Sequence, residues 1–368
     1  AVCAAPIAET RVARSVGMVA SSSATGGAIS GRESSLRVSV EVRSSARTAP
    51  RGPERWVMAG SVVVIGNFDG VHRGHRALLD RARARAAALG VDGVPLPVVA
   101  VTLWPHPMTV FAPDRVPRLL TSLDDRIELL KRCGASQVRV VQFNGEVAAW
   151  PPARFVERII DPLDPRLVIV GTNFTFGRGA AGTARTLAEL GAGRFETTAL
   201  DLVGVGGVDT SSSRIRKALA AGEVTGAAEH LGRWFSLSGV VVVGDQRGRM
   251  LGFPTANLPI PAELATPGDG VYAGWLRRLD EPGAEAMPAA VSVGTNPTFD
   301  GIERRVESYV LDRTDLELYG AKVRVEFVRS LRGQLRFAGA EGLVVQMRRD
   351  VAETRRLLAD PANRSLPL

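Results

Sequence analysis

The sequence predicts a two-part fold: an α/β domain built on a parallel sheet, then an antiparallel β-barrel closed by a C-terminal helix. Three observations carry this. Apolar runs alternate with helical patterns from about residue 60 to 233. From about 234, short β-rich runs separated by turn residues replace that texture. A glycine-rich turn follows the first apolar run, the place where a doubly wound sheet takes its ligand.

The α/β domain is expected over 59–233, with strands at 61–65, 98–102, 138–141 and 167–171. Helices are expected between them at 76–89, 124–133 and 152–160. The barrel is expected over 234–360, with strands at 236–243, 270–276, 289–293, 306–311 and 322–327 and a last helix at 338–358. Residues 1–58, rich in Ser, Ala, Gly and Arg, read as a disordered extension. Its Ser/Arg character fits an organelle-targeting segment, against which Glu9, Glu33, Glu41 and Glu54 count. A translation start at Met18 or Met58 is the other reading.

A hydrophobic share of 45% and a charged share of 23% are those of an ordinary globular chain. No stretch approaches the roughly 20 apolar residues of a membrane helix, so no membrane partner is expected. Two cysteines, Cys3 and Cys133, imply no disulfide framework and fit a reducing, cytoplasmic compartment. The net charge of +8 would suit nucleic acid, but half of it lies before residue 56, where eight Arg meet four Glu. No dense basic run with interleaved aromatics follows, so nucleic acid is not expected as a partner. Oligomeric state is not legible.

The sharpest local feature is Gly66-Asn67-Phe68-Asp69-Gly70-Val71-His72-Arg73-Gly74-His75, between an apolar run and an Ala/Arg/Leu-rich segment. A strand, a tight turn and a helix in that order place two imidazoles and unpaired backbone N–H groups at a helix N-terminus, which favours a nucleotide triphosphate. Three other readings stand beside it. The histidines could face solvent from a plain loop, or form a zinc site with His106 of Trp104-Pro105-His106-Pro107; His106 could also be a structural turn residue. His230 reads as structural. Further on, Gly171-Thr172-Asn173-Phe174-Thr175-Phe176-Gly177 follows the fourth strand. In Asp209-Thr210-Ser211-Ser212-Ser213-Arg214-Ile215-Arg216-Lys217 the serines suit a helix cap, and the basic residues behind them suit phosphate.

In the second half, Leu251-Gly252-Phe253-Pro254-Thr255-Ala256-Asn257 offers neutral oxygen ligands of the kind Mg²⁺ takes beside phosphates, or a plain turn before a strand. Glu307, inside an alternating apolar strand, reads either as a general base for an attacking hydroxyl or as a solvent-facing carboxylate.

The order GNFDGVHRGH, WPHP, GTNFTFG, TSSSRIRKAL, then LGFPTAN, DGVY, VGTNPTF, VESYVLD and LYG resembles the bacterial bifunctional riboflavin kinase/FAD synthetase family over about 60–358. The resemblance implies a Rossmann-like nucleotidyltransferase domain and a riboflavin kinase barrel. It implies ATP-dependent phosphorylation of riboflavin to FMN, adenylylation of FMN to FAD with release of pyrophosphate, and a need for Mg²⁺. By it, His72 and His75 are catalytic and hold phosphates, with Gly66, Phe68, Asp69, Gly70, His106, Asn173, Ser212, Arg214 and Arg216 around the first nucleotide. Gly252, Pro254, Thr255 and Asn257 bind the second, Thr255 and Asn257 take the metal, and Glu307 activates the ribityl hydroxyl. Trp104 departs from the family's frequent Asp.

Overall fold

Val62, Val63, Val64 and Ile65 are all β-branched and all buried, and they form the central strand β1 (Ser61–Ile65). A run apolar at every position suits a strand covered on both faces. Beside it stand β2 (Val98–Trp104), β3 (Gln137–Gln142), β4 (Pro165–Gly171) and β5 (Glu196–Leu200). They lie in the parallel order β3–β2–β1–β4–β5. The computed structural model describes residues 60–201, 204–205, 208–244, 248, 251–298, 301–313 and 315–365. The expected extension over 1–58 lies outside the described residues.

Alternate side chains of the sheet serve opposite faces. Val62, Val64, Ala100 and Leu167 pack on Leu79 and Ala82 of α1 (Arg73–Ala88) and Leu130 of α2 (Leu123–Arg132). Val63, Ile65, Val101 and Val170 pack on Phe155, Ile159 and Leu187, the last from α3 (Ala184–Gly191). The α2 helix starts where Ser122 Oγ accepts from Asp125 N at 3.1 Å. Its acidic first turn and basic last turn complement the helix dipole. The chain runs outward from β1 to β3, then returns to the other side of β1 as β4. That reversal opens a crevice at the carboxyl ends of β1 and β4.

Two helices, α4 (Ser212–Ala220) and α5 (Val224–Leu231), lead out of the sheet. Gly232 ends α5 in the left-handed region (φ 73°), a conformation that glycine adopts without a Cβ penalty. The chain then enters β6 (Phe235–Val240), β7 (Ala256–Ile260), β8 (Gly270–Arg278), β9 (Met287–Thr298), β10 (Gly301–Val310) and β11 (Lys322–Gly333). These pair antiparallel in the order β6–β11–β8–β9–β10–β7. A bridge between Val242 and Asn257 draws the two edges together, so the sheet nearly closes. Its interior holds Phe235, Leu258, Tyr272, Val291, Val306 and Phe327, and the same core takes Ile215 and Leu219 of α4 and Leu231 of α5. A last helix, α6 (Ala340–Leu358), sets Leu358 against Ala273 and Val328 on the barrel's outside.

The strands expected at 61–65, 98–102, 138–141 and 167–171 and the barrel runs are present, most of them longer than their apolar centres. The α1 helix begins three residues before the expected 76, which brings His75 into its first turn. Two elements had no strong sequence signal. In β5, Glu196-Thr197-Thr198-Ala199-Leu200 lies at the sheet edge and carries no apolar run, and α3 spans barely two turns. The strand β7 begins inside the Gly252-to-Asn257 motif, so Asn257 is a strand residue, not part of a plain turn.

Candidate active sites

The turn after β1 is held in an uncommon shape. Phe68 (φ 51°), Gly70 (φ 81°) and Val71 (φ 40°) all take positive φ, on the left-handed side that side chains rarely adopt. That is costly for a β-branched residue such as Val71, so the surroundings must impose it. Asp69 is the main fastening. Its Oδ1 accepts from Leu120 N at 2.9 Å and Thr121 N at 3.3 Å, and its Oδ2 accepts from Arg216 Nη1 at 2.7 Å. Arg126, fully buried, places Nη2 3.4 Å from Asp69 Oδ1 and donates Nη1–H to Asn67 O at 3.0 Å. Thr102 Oγ1 donates to the same carbonyl, and Ser212 Oγ donates to Asp69 O at 2.9 Å. Gly70, at φ 81°, is a position where any side chain would be strained, and a Cβ there would also press on Leu120 Cδ1 at 2.7 Å.

The two histidines of the turn are stacked, with ring centroids 3.7 Å apart and planes 19° from parallel. The Phe68 ring stands edge-on to His75 at 5.2 Å. Burial, then the Arg233, His230 and Arg216 charges, push His72 down to about 4. Burial and the neighbouring His72 push His75 well below the ordinary histidine value. Both rings are therefore neutral at pH 7. Among the described residues neither Nδ1 has a hydrogen-bond partner. His106 Nδ1 accepts from Met108 N at 3.2 Å, which leaves Nε2–H as its donor. With His72 only 7% exposed, the plain solvent-facing loop is excluded for that ring. Nor does the zinc reading hold: among the described residues no three His, Cys, Asp or Glu converge on an ion. Stacked rings also send their in-plane lone pairs side by side instead of toward one point.

These groups open onto a cavity of about 720 Å³ at the carboxyl ends of the strands. Of the residues predicted for the first nucleotide, Gly66, Asp69, His72, His75, His106, Asn173, Ser212 and Arg216 line it. Phe68 does not: it is wholly buried behind His75. Gly70 is spent on the turn, its N–H donating to Thr121 Oγ1, and the Arg214 side chain is exposed on α4 outside the cavity. Asp69, with its oxygens taken by protein donors, shapes the turn and orients Arg216. His230, predicted structural, meets Thr210 Oγ1 through Nδ1 at 3.0 Å. Not foreseen from the sequence are five phenylalanines in the cavity lining, an aromatic wall of Phe111, Phe143, Phe155, Phe174 and Phe176. The pair Phe174 and Phe176 flanking Thr175 in the Asn173 motif was the available signal.

The second site lies on the barrel. Phe253 N donates to Gly248 O at 2.8 Å, and Gly252 takes φ 85°, so the loop before β7 turns tightly. The Phe253 ring rests on Tyr309 of β10 at 5.2 Å. Asn257 on β7 stands directly opposite Glu307 on β10, and Glu307 in turn faces Ser292 on β9. Paired residues of an antiparallel ladder share one face of the sheet, here the face away from Leu258 and Val306 of the core. Glu307 lines a cavity of about 390 Å³ with Asp269, Ser292, Thr295, Arg305 and Gln334. Gly252, Pro254 and Thr255 stand on the segment entering β7, and Asn257 beside Glu307; none of the four lines that cavity. Asn257 is buried, and among the described residues its Oδ1 has no partner. The backbone at Gly244 comes so close that a Cβ there would strike the Asn257 amide. A buried, unsatisfied amide oxygen is a donor suited to a hard cation.

Residues 55–214 match the family model described as FAD synthetase, and 231–358 match the one described as riboflavin kinase. The bifunctional riboflavin kinase/FMN adenylyltransferase of Escherichia coli K12 is 36% identical over 293 residues, covering 79% of this chain and 90% of that protein. The protein of the same name from Bacillus subtilis is 32% identical over 307 residues, covering 82% and 94%. A solved structure from Streptococcus pneumoniae, named a macrolide-efflux protein, superposes with a TM-score of 0.71 at 31% identity, covering 80% and 94%. Among the described residues of the present chain, no helix is long and apolar enough to cross a membrane. Sheet, barrel and family matches together define a two-module flavin transferase. The chain belongs to the bifunctional riboflavin kinase/FMN adenylyltransferase family.

Proposed function

We propose that the two cavities divide the two reactions of this family between them, the barrel making FMN and the parallel-sheet domain making FAD. The observation that carries the division is that each cavity holds its own chemistry. One has neutral histidines and Arg216 on a strained turn, and the other has Glu307, whose strand partner Asn257 stands outside the cavity lining with an unsatisfied amide oxygen.

In the barrel, Glu307 accepts the proton of the riboflavin 5′-hydroxyl as that oxygen attacks the γ-phosphorus of ATP, and ADP leaves. Thr255 and Asn257 would hold Mg²⁺, which when bound neutralises charge on the phosphates. Gly252 and Pro254 shape the loop on which that nucleotide lies.

In the sheet domain, the aromatic wall takes the isoalloxazine of FMN, and the histidine end takes the triphosphate of ATP. The 5′-phosphate of FMN attacks the α-phosphorus, and pyrophosphate leaves. His72, His75 and His106 donate N–H to phosphoryl oxygens as charge develops, Ser212 lies at the N-terminus of α4, and Asn173 orients the bound rings. Arg216 spends two donor contacts on Asp69 and Ser213 and has others left for phosphate. Almost all the work is placement and charge stabilisation. The substrates are small molecules, met in the cytoplasm without nucleic acid or membrane.

Purified full-length protein given riboflavin, ATP and Mg²⁺, with products separated by chromatography, tests this. FMN should appear first and FAD after it. A chain that yields neither from riboflavin nor FAD from supplied FMN would sink the reading.

A further inference from the structure

Arg233 reaches the histidine turn from outside the sheet that carries it. It follows the Gly232 cap and stands two residues before β6, on the segment that leads into the barrel. Its Nη2–H donates to Gly70 O at 2.8 Å and its Nη1–H to Val71 O at 3.3 Å. These are the two residues before His72, and both carry positive φ. The contact is returned from the other side. Arg73 donates through Nε–H to Glu229 O at 2.6 Å, and Arg76 Nη1–H to Gly232 O at 3.0 Å. Three arginines thus bolt the start of α1 to the end of α5.

Of the carboxylates around it, Asp69 is held by Arg126 and Arg216 and Asp125 by Arg324, while buried Glu326 of β11 also feels the Arg233 charge. Arg233 Nε is buried and has no partner among the described residues. A guanidinium taken from water and spent on two carbonyls costs free energy. Its return lies in the geometry it enforces. Because the peptide is planar and trans, fixing Val71 O fixes the His72 N–H in the opposite direction. It also sets the rotation of the residue that caps α1.

We propose that Arg233 is a positioning residue for adenylyl transfer, contributed by the segment entering the barrel, which holds the Gly70 and Val71 carbonyls so that His72 and the first turn of α1 are aimed at the nucleotide phosphates. This rests on assigning the 720 Å³ cavity to FMN adenylylation. The charged and titratable groups facing His72 are Arg233, His230 and Arg216, with His75 stacked on its ring. Removing the Arg233 cation therefore lets His72 protonate at higher pH.

Full-length Arg233→Met and Arg233→Lys test this, each assayed for both reactions. In Arg233→Met, kcat for FAD formation from FMN should fall about tenfold or more, with a smaller change in KM for ATP. FMN formation from riboflavin should stay within about twofold of wild type. The acid limb of the FAD-forming pH profile should move to higher pH. Arg233→Lys, which keeps the charge and one donor, should recover part of the rate and most of the limb. The proposal is overturned if Arg233→Met makes FAD at the wild-type rate and pH limb. It is equally overturned if both reactions fall together, or if the lysine variant is no better than the methionine one. A wild-type chain that makes FMN but no FAD would instead overturn the assignment of the cavity.

Discussion

Asn257 and Glu307 face each other across neighbouring antiparallel strands, although 50 positions apart in the chain. The pairing puts a carboxylate and a buried, unsatisfied amide oxygen on one face of the barrel wall. If Asn257 holds Mg²⁺ there, Asn257→Ala should raise the Mg²⁺ concentration for half-maximal FMN formation by about tenfold, the loss of one good oxygen ligand. The Mg²⁺ dependence of FAD formation from FMN should not move. Titrating both reactions with Mg²⁺ checks this; an equal shift in both would remove Asn257 from the metal site.

His72 makes the fold acid-sensitive. In the unfolded chain it protonates below its ordinary 6.5, whereas in the folded chain it stays neutral down to about 4. Between those values the unfolded state binds more protons, so stability falls as pH falls. The loss accumulates to about 3 kcal/mol and levels off below pH 4. Urea unfolding at pH 7, 6, 5 and 4 measures the slope. In His72→Gln it should be shallower, and an unchanged slope would contradict the burial argument.

Asp69 fastens the turn and two arginines, with 2% of its side chain exposed. Asp69→Ala leaves Arg126 buried without its carboxylate and releases Arg216. The expected cost is about 3 to 5 kcal/mol of stability, seen as a lowered Tm, with FAD formation lost at temperatures where the variant is still folded. Saturating FMN and ATP should recover part of that Tm. A variant with wild-type Tm and FAD formation would show that Asp69 is not the fastening.

Arg324 of β11 reaches the other half of the chain, with Nη2 at 2.8 Å from Glu128 and 3.3 Å from Asp125 on α2. Replacing it by Met should cost about 1 to 2 kcal/mol, because Asp125 loses its cation and keeps, among the described residues, only Ser122, while Glu128 still has Arg132. Both cavities lie elsewhere, so both kcat values should hold. Denaturation followed by both activities checks it. A double-mutant cycle with Asp125→Asn should show a coupling of about 1 kcal/mol or more; additive losses would mean that the pair contributes nothing.

The histidine turn was legible because strand, glycines, histidines and helix follow one another within about 30 residues, and local periodicity marks each. That the sheet is parallel followed from the alternation; the order of its strands did not. What the sequence hid is long-range. Nothing local ties Asp69 to Arg216, 147 residues on, or announces that Arg126 of an ordinary amphipathic helix is fully buried against the turn. Phe68 and Gly70 share a motif with His72 and His75 but point or bond away from the cavity, since in a turn of mixed φ neighbouring residues take unrelated directions. Arg214 and Arg216 sit two positions apart on a helix, so they cannot face one ligand together. On the barrel, the pairing of Asn257 with Glu307 depends on register, which single-strand patterns do not fix.

The most direct measurement is the product pattern of two variants, Glu307→Ala and His75→Ala, in the full-length chain. Glu307→Ala should form no FMN from riboflavin yet convert supplied FMN to FAD at close to the wild-type rate. His75→Ala should do the reverse, stopping at FMN. Loss of both reactions in either variant, with circular dichroism showing it folded, would contradict two separate sites in one chain.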